Sequence, residues 1–210
     1  MTEFLTITIL LLSSYVLGAI PFAYIFTKLF VKKDIMEMGW KKSSSSNVLT
    51  NVGKLPALLT FFFDVFKGFI VVYIAKELGL SFEVQAFAGF FAVVGHNWSA
   101  FLRFKGGRGI ATILGACLAF NYLIGIVILI PVILTALVWT GSIGTIIGYF
   151  LGMFWGYAIQ DYGLFLLFAL CLIPIIVKRL SPVKTLKGNI KNRLIFDQDG
   201  IPPFRIRKNK

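Results

Sequence analysis

Residues 109–177 read GIATILGACLAFNYLIGIVILIPVILTALVWTGSIGTIIGYFLGMFWGYAIQDYGLFLLFALCLIPIIV, and Asp161 is the one charged residue among them. Apolar surface left in water is penalised in proportion to its area. A segment this long with a single carboxylate therefore has lipid as its solvent. Crossing ~30 Å of hydrocarbon takes about 20 apolar residues at 1.5 Å each. Polar or turn-forming residues interrupt the run at 121–122, 139–142 and 160–162. The breaks predict four short spans; two long tilted spans are the other solution.

Outward from this stretch, apolar runs at 4–27, 55–75 and 82–102 are three further candidate spans, the first expected to kink at Pro21 after Gly18. Charged residues make up 14% of the 210-residue chain, against roughly a quarter in soluble domains. The net charge is +12, and the basic residues fall in three blocks beside apolar runs, at 28–54, 103–108 and 178–210. Blocks so placed mark cytoplasmic loops and attract anionic lipid or anionic substrates. No nucleic-acid reader accompanies them, so nucleic acid is excluded as a partner. Residues 76–83, with Glu77 and Glu83 against Lys76, face the other side. Two cytoplasmic ends, at Arg108 and Lys178, are joined by an even number of spans. The expected fold is thus an all-α polytopic membrane helix bundle of seven spans, or five if the long spans form, with the N-terminus outside and the C-terminus cytoplasmic. It forms a single membrane-embedded domain over 1–210 that ends in a basic tail, 178–210. Glu3 and the absence of a basic n-region predict a retained first span. Cys117 and Cys171 lie in apolar runs and read as small buried hydrophobes. Gly144, Gly148, Gly152 and Gly156 recur every four residues and predict a smooth helix-packing stripe.

Chemistry is concentrated in the basic segments. The sequence Gly95-His96-Asn97-Trp98 is followed by Phe101-Leu102-Arg103-Phe104-Lys105-Gly106-Gly107-Arg108-Gly109-Ile110-Ala111-Thr112. Three glycines in four positions permit a tight turn whose N–H groups can converge on an oxyanion. Lys105 and Arg108 add positive charge, and an apolar helix starting at Ile110 would aim its positive end at the same point. The spacing is not that of a nucleotide-hydrolysing P-loop. A second segment, Lys41-Lys42-Ser43-Ser44-Ser45-Ser46-Asn47-Val48-Leu49-Thr50-Asn51-Val52-Gly53-Lys54, offers hydroxyls, amides and a lysine to phosphate or polyol oxygens, or serves as a polar linker. His96 is the only histidine; it is either an interfacial hydrogen-bonding residue or a base. Asp64 and Lys67 share a helix face three residues apart, as a structural pair or part of a site.

These segments resemble the bacterial acyl-phosphate:glycerol-3-phosphate acyltransferases, the PlsY family. The long motif from Gly95 to Thr112 carries the likeness, with Gly18-Ala19-Ile20-Pro21-Phe22-Ala23-Tyr24, Thr50-Asn51-Val52, Asp64-x-x-Lys67-Gly68 and Asn189-Ile190 in support. The resemblance implies a seven-helix inner-membrane enzyme that passes an acyl chain from acyl phosphate to the sn-1 hydroxyl of glycerol 3-phosphate, giving lysophosphatidic acid for phospholipid synthesis. It also implies that no metal, CoA thioester or other cofactor is used, and that the site faces the cytoplasm. The first motif has serines and Val48-Leu49 where the family has glycines, so the motif serine falls on Ser44 or Ser45, and Lys54 replaces arginine. In the third motif Leu186 replaces histidine, the arginine is displaced by one to Arg193, and the closing Gly-x-Glu becomes Asp197-Gln198-Asp199.

An acyl phosphate is an activated donor, so positioning and anion neutralisation can supply most of the effect. On this reading Lys105, Arg108 and the amides of Gly106, Gly107, Arg108 and Gly109 hold the phosphate of glycerol 3-phosphate. The Ser44, Ser45, Ser46 run, Asn51 and Lys54 orient the acyl phosphate, whose tail lies between helices, and Asn47, Thr50 and Arg193 are further substrate-binding candidates; membrane lipid is a partner. Ser44, Ser45, His96 and Asn189 are the catalytic candidates, and either His96 or the donor phosphate takes the hydroxyl proton. Two rival classes are a homologue that binds phosphate or lipid headgroups without transfer, and a small transporter built on mid-membrane charges such as Asp64, Lys67 and Asp161.

Overall fold

A computed structural model describes residues 3–138, 141–181 and 190–196. Its helices are α1 (Glu3–Ala19), α2 (Phe22–Val31), α3 (Ser45–Asn51), α4 (Lys54–Glu77), α5 (Phe82–Asn97), α6 (Ile110–Phe120), α7 (Tyr122–Val138), α8 (Gly141–Ala158), α9 (Tyr162–Leu180) and α10 (Ile190–Phe196). No strand occurs among the described residues. Glu3–Val31, Lys54–Glu77 and Tyr162–Leu180 are each long and apolar enough to cross a membrane.

The sequence breaks become helix ends. Pro21, which cannot donate a backbone hydrogen bond, separates α1 from α2. Asn121 sits between α6 and α7. Asp161 caps α9, its carboxylate accepting from the Leu164 N–H at 3.0 Å. The lone charge of the long apolar stretch is therefore a helix cap at a span end, which removes one support from the transporter reading. One expectation needs correction. The third span was expected to run to Leu102, but α5 stops at Asn97. The chain then folds back, with Ser99 N–H donating to Lys105 O at 3.1 Å and Phe104 N–H to Ser99 O at 2.8 Å. Apolar side chains at 98–102 hid this turn, because they suit a membrane interface as well as a helix.

Helices meet with their backbones nearly in contact. A methyl group added at Gly18 would overlap Ala92 on α5, and one at Gly95 would overlap Tyr15 O on α1. Gly68 and Gly115 bring α4 and α6 together in the same way. The α8 stripe is divided: Gly144 and Gly148 pack on α7, Gly152 and Gly156 on α9. Small side chains allow this approach where lipid supplies no hydrophobic drive between helices. The core is built from residues such as Val71, Val72, Ala88, Ala92, Leu164, Leu167 and Phe168. Outside, Leu12, Leu58, Phe62, Leu123, Leu137 and Ile173 are all more than half exposed. An apolar exterior of this kind suits a hydrocarbon surround.

Candidate active site

The glycine turn is fixed from three sides. Tyr15 Oη on α1 donates to Trp98 O at 2.9 Å, and Ser99 Oγ donates to Ala19 O at 2.5 Å. The Gly107 N–H donates to His96 O at 3.1 Å, which seals the end of α5. That amide is engaged inside the turn, which qualifies the sequence expectation of N–H groups that all converge on an oxyanion. Gly109 is left-handed at φ +77° and forms the N-cap of α6, a conformation that suits glycine. Gly106 and Gly107 are buried. A Cβ at Gly107 would collide with His96 Nε2 and Ser43 O. The turn thus touches both the histidine ring and the serine-rich loop, two segments more than fifty positions apart in sequence.

His96 lies at the last turn of α5, 8% exposed, beside Asp64 and Lys67 of α4, which are 2% and 3% exposed. Lys67 Nζ is 2.7 Å from Asp64 Oδ1 and 2.9 Å from His96 Nδ1. The sequence spacing predicted the Asp64–Lys67 pair but not its contact with the histidine, which depends on how α4 and α5 pack.

Arg108 is half-buried at the other edge of the turn. Burial and, to a lesser extent, the neighbouring charge of Arg179 together push its guanidinium down to about 9. Both effects disfavour the cation, and an arriving anion would offset both. Arg179, near the end of α9, is 5% exposed. It donates to Thr145 Oγ1 at 2.6 Å, to Ser142 O at 3.2 Å and to Leu194 O at 2.6 Å. It thereby ties α8, α9 and α10 together and holds the helix that carries Arg193, itself 7% exposed. Sequence reasoning missed Arg179, because a basic residue ending a span reads as a topology signal. It also passed over Ser43, whose backbone makes the contact.

The other candidates divide. Ser45, Ser46 and Lys54 line an open groove of about 450 Å³ with Leu49, Ala57, Leu58 and Phe61. Phe61 also lines an apolar cavity of about 60 Å³ between α6, α7, α8 and α9. Ser44 caps α3, accepting from Asn47 N–H at 3.3 Å. Asn47 is fully buried and its amide donates to Ile35, Met38 and Lys42 carbonyls, so it organises the loop. Thr50 donates to Ser46 O, and Asn51 to Asn47, within α3. Lys105 is exposed. Asn189, with Leu186, Asp197 and Asp199, lies outside the described residues.

A family profile described as glycerol-3-phosphate acyltransferase matches residues 8–188. The chain belongs to the glycerol-3-phosphate acyltransferase family. It is 42% identical to glycerol-3-phosphate acyltransferase 1 of Deinococcus radiodurans over 66% of this chain and 72% of that one. It is 33% identical to glycerol-3-phosphate acyltransferase 4 of Dehalococcoides mccartyi over 91% of this chain and 88% of that one. The same identity to the Staphylococcus haemolyticus acyltransferase extends over 87% and 95%. Among solved structures, PlsY, an integral membrane glycerol 3-phosphate acyltransferase crystallised in its glycerol 3-phosphate form, superposes with a TM-score of 0.78. That match is 24% identical and covers 90% of this chain and 94% of PlsY, so this acyltransferase chain shares the PlsY fold. The altered first motif therefore sits in an intact family framework.

Proposed function

We propose that this chain acylates glycerol 3-phosphate to lysophosphatidic acid, with acyl phosphate as donor and the sn-1 hydroxyl as acceptor. The observation that carries the reading is the meeting at Gly107 of the glycine turn, the His96 ring and the serine-rich loop, beside the half-buried Arg108. The contact sets the glycine turn, our candidate phosphate site, against the serine-rich loop whose Ser45 and Ser46 line the groove, an arrangement that suits two phosphorylated substrates. Membership in the family supports the same activity, as do the glycerol 3-phosphate and lysophosphatidic acid forms of PlsY.

In the reaction, the glycerol hydroxyl oxygen bonds to the acyl carbon and the carbon–oxygen bond to phosphate breaks. The hydroxyl proton ends on the released phosphate, directly or through a site group. Arg108 and the turn hold glycerol 3-phosphate, with Lys105 at the entrance and Arg193 on the tail side; Asn189 remains a catalytic candidate on the family resemblance alone. Ser44, Ser45, Ser46 and Lys54 orient the donor phosphate, and α3, with Asn47, Thr50 and Asn51, shapes the loop that carries them. An anhydride donor with a good leaving group leaves mainly positioning and charge neutralisation to the protein.

The site faces the cytoplasm of a bacterial inner membrane, in a seven-span arrangement of α1 with α2, then α4 to α9 excluding none. Supporting this, Arg179 at the end of α9 reaches Ser142 and Thr145 at the start of α8, so both ends lie on the side of the basic tail. The test is acyl transfer by purified protein to labelled glycerol 3-phosphate, with acyl phosphate and acyl-CoA compared as donors. Lysophosphatidic acid formed only from acyl phosphate, and lost in Arg108→Ala, is the expected result. Binding of glycerol 3-phosphate with no transfer from either donor would instead favour the headgroup-binding homologue.

A further inference from the structure

We propose that Lys67 is a positioning residue that holds His96 as its Nε2–H tautomer, so that the imidazole meets the glycine turn as a hydrogen-bond donor. The inference deepens the function proposed above and rests on it for the identity of the anion.

A lysine ammonium has three protons to donate and accepts none. Lys67 Nζ forms an ion pair with Asp64 Oδ1 at 2.7 Å, donates to Ile20 O at 3.3 Å and lies 2.9 Å from His96 Nδ1. Nδ1 must therefore present its lone pair to the ammonium. A neutral imidazole with a bare Nδ1 carries its proton on Nε2. Asp64 Oδ1 lies farther off, 3.5 Å from Nδ1, so the ammonium at 2.9 Å is the nearer partner of that nitrogen. The Phe22 ring lies 5.7 Å from the ammonium and closes a further side of this buried cluster.

The opposite edge of the ring faces the site. Nε2 lies where a Cβ on Gly107 would fall, next to the Ser43 carbonyl. Its proton is aimed at the junction of the turn and the serine-rich loop. In the arrangement of a general base, a carboxylate holds Nδ1–H and leaves Nε2 bare to accept a proton. Here a lysine stands between carboxylate and ring, and the polarity is reversed. Asp64 acts through Lys67, fixing the ammonium that fixes the histidine.

His96 is the single histidine of the chain, so nitrogen-15 histidine labelling of the full-length protein in phospholipid bilayers gives a one-residue spectrum. The expected spectrum has a protonated Nε2 and a bare Nδ1, and glycerol 3-phosphate moves the Nε2 resonance more than that of Nδ1. Lys67→Met releases the ring toward the Nδ1–H form and lowers kcat/KM by roughly ten- to a hundred-fold, the effect of one charge-assisted hydrogen bond. His96→Gln, which places an amide donor near the Nε2 position, keeps most of the turnover that His96→Ala loses. A wild-type spectrum with the proton on Nδ1 overturns the proposal, whether or not the Lys67 variant folds. Glutamine performing no better than alanine overturns the donor role. If the wild-type protein transfers no acyl group, the functional reading fails, while the spectrum with and without glycerol 3-phosphate still decides the tautomer.

Discussion

Gly107 is where three parts of the chain converge, and its hydrogen atom is what lets them. Replacement by alanine puts a methyl group against His96 Nε2 and the Ser43 carbonyl. One of the two must move, at about 1–3 kcal/mol for forced repacking. Gly107→Ala is expected to raise KM for glycerol 3-phosphate and lower kcat together, measured by steady-state kinetics in bilayers. A rise in KM alone would mean the ring stays in place. Arg108→Lys tests the neighbouring charge: an ammonium keeps the sign but loses the planar fork. Glycerol 3-phosphate affinity should fall about tenfold in Arg108→Lys and further in Arg108→Ala, read by equilibrium binding. The sequence made these residues legible because glycines and cations packed into one short turn have few other uses. It could not reveal Arg179, whose partners Ser142, Thr145 and Leu194 lie far from it along the chain.

The helices act as carriers, each delivering one piece of the site to a common end of the bundle. α4 supplies Asp64 and Lys67, α5 supplies His96, and α6 begins at Ile110, just after its N-cap Gly109. Helix ends were readable where a residue type enforces them, as at Pro21, Asn121 and Asp161. The end of α5 was not, since Trp98, Phe101 and Leu102 are as apolar as the helix before them. What stops α5 is the turn's own hydrogen bonding, a tertiary effect. The small helix α10 is tied to α9 by the Arg179 guanidinium, which donates to Leu194 O at 2.6 Å. Thr145→Val keeps the shape of residue 145 but removes the oxygen that accepts from Arg179 at 2.6 Å. A buried guanidinium short of an acceptor costs roughly 1–3 kcal/mol. We expect protease cleavage after Arg193 to accelerate in Thr145→Val, with little change in the rest of the bundle; unchanged cleavage would mean the other two bonds suffice.

For the whole molecule, orientation is the property most open to test. Cys117 and Cys171 are buried and should give a low background with a membrane-impermeant thiol reagent. In intact cells, a cysteine placed at Ser46 should resist the reagent, and one at Lys76, exposed at the far end of α4, should react. The reverse pattern would invert the proposed orientation and put the groove outside.

The anchoring of the glycine turn to α1 through Tyr15 and Ala19 bears on how the protein is made. The residues of α1 and α5 that hold the turn precede it in the chain, whereas Pro174 and Lys178 of α9, which meet Asn97 and Trp98 beside it, follow it. Biosynthesis thus presents the first supports of the turn before α7, α8 and α9 are made, and adds the contacts of α9, with Arg179 and the helix it holds, at the end.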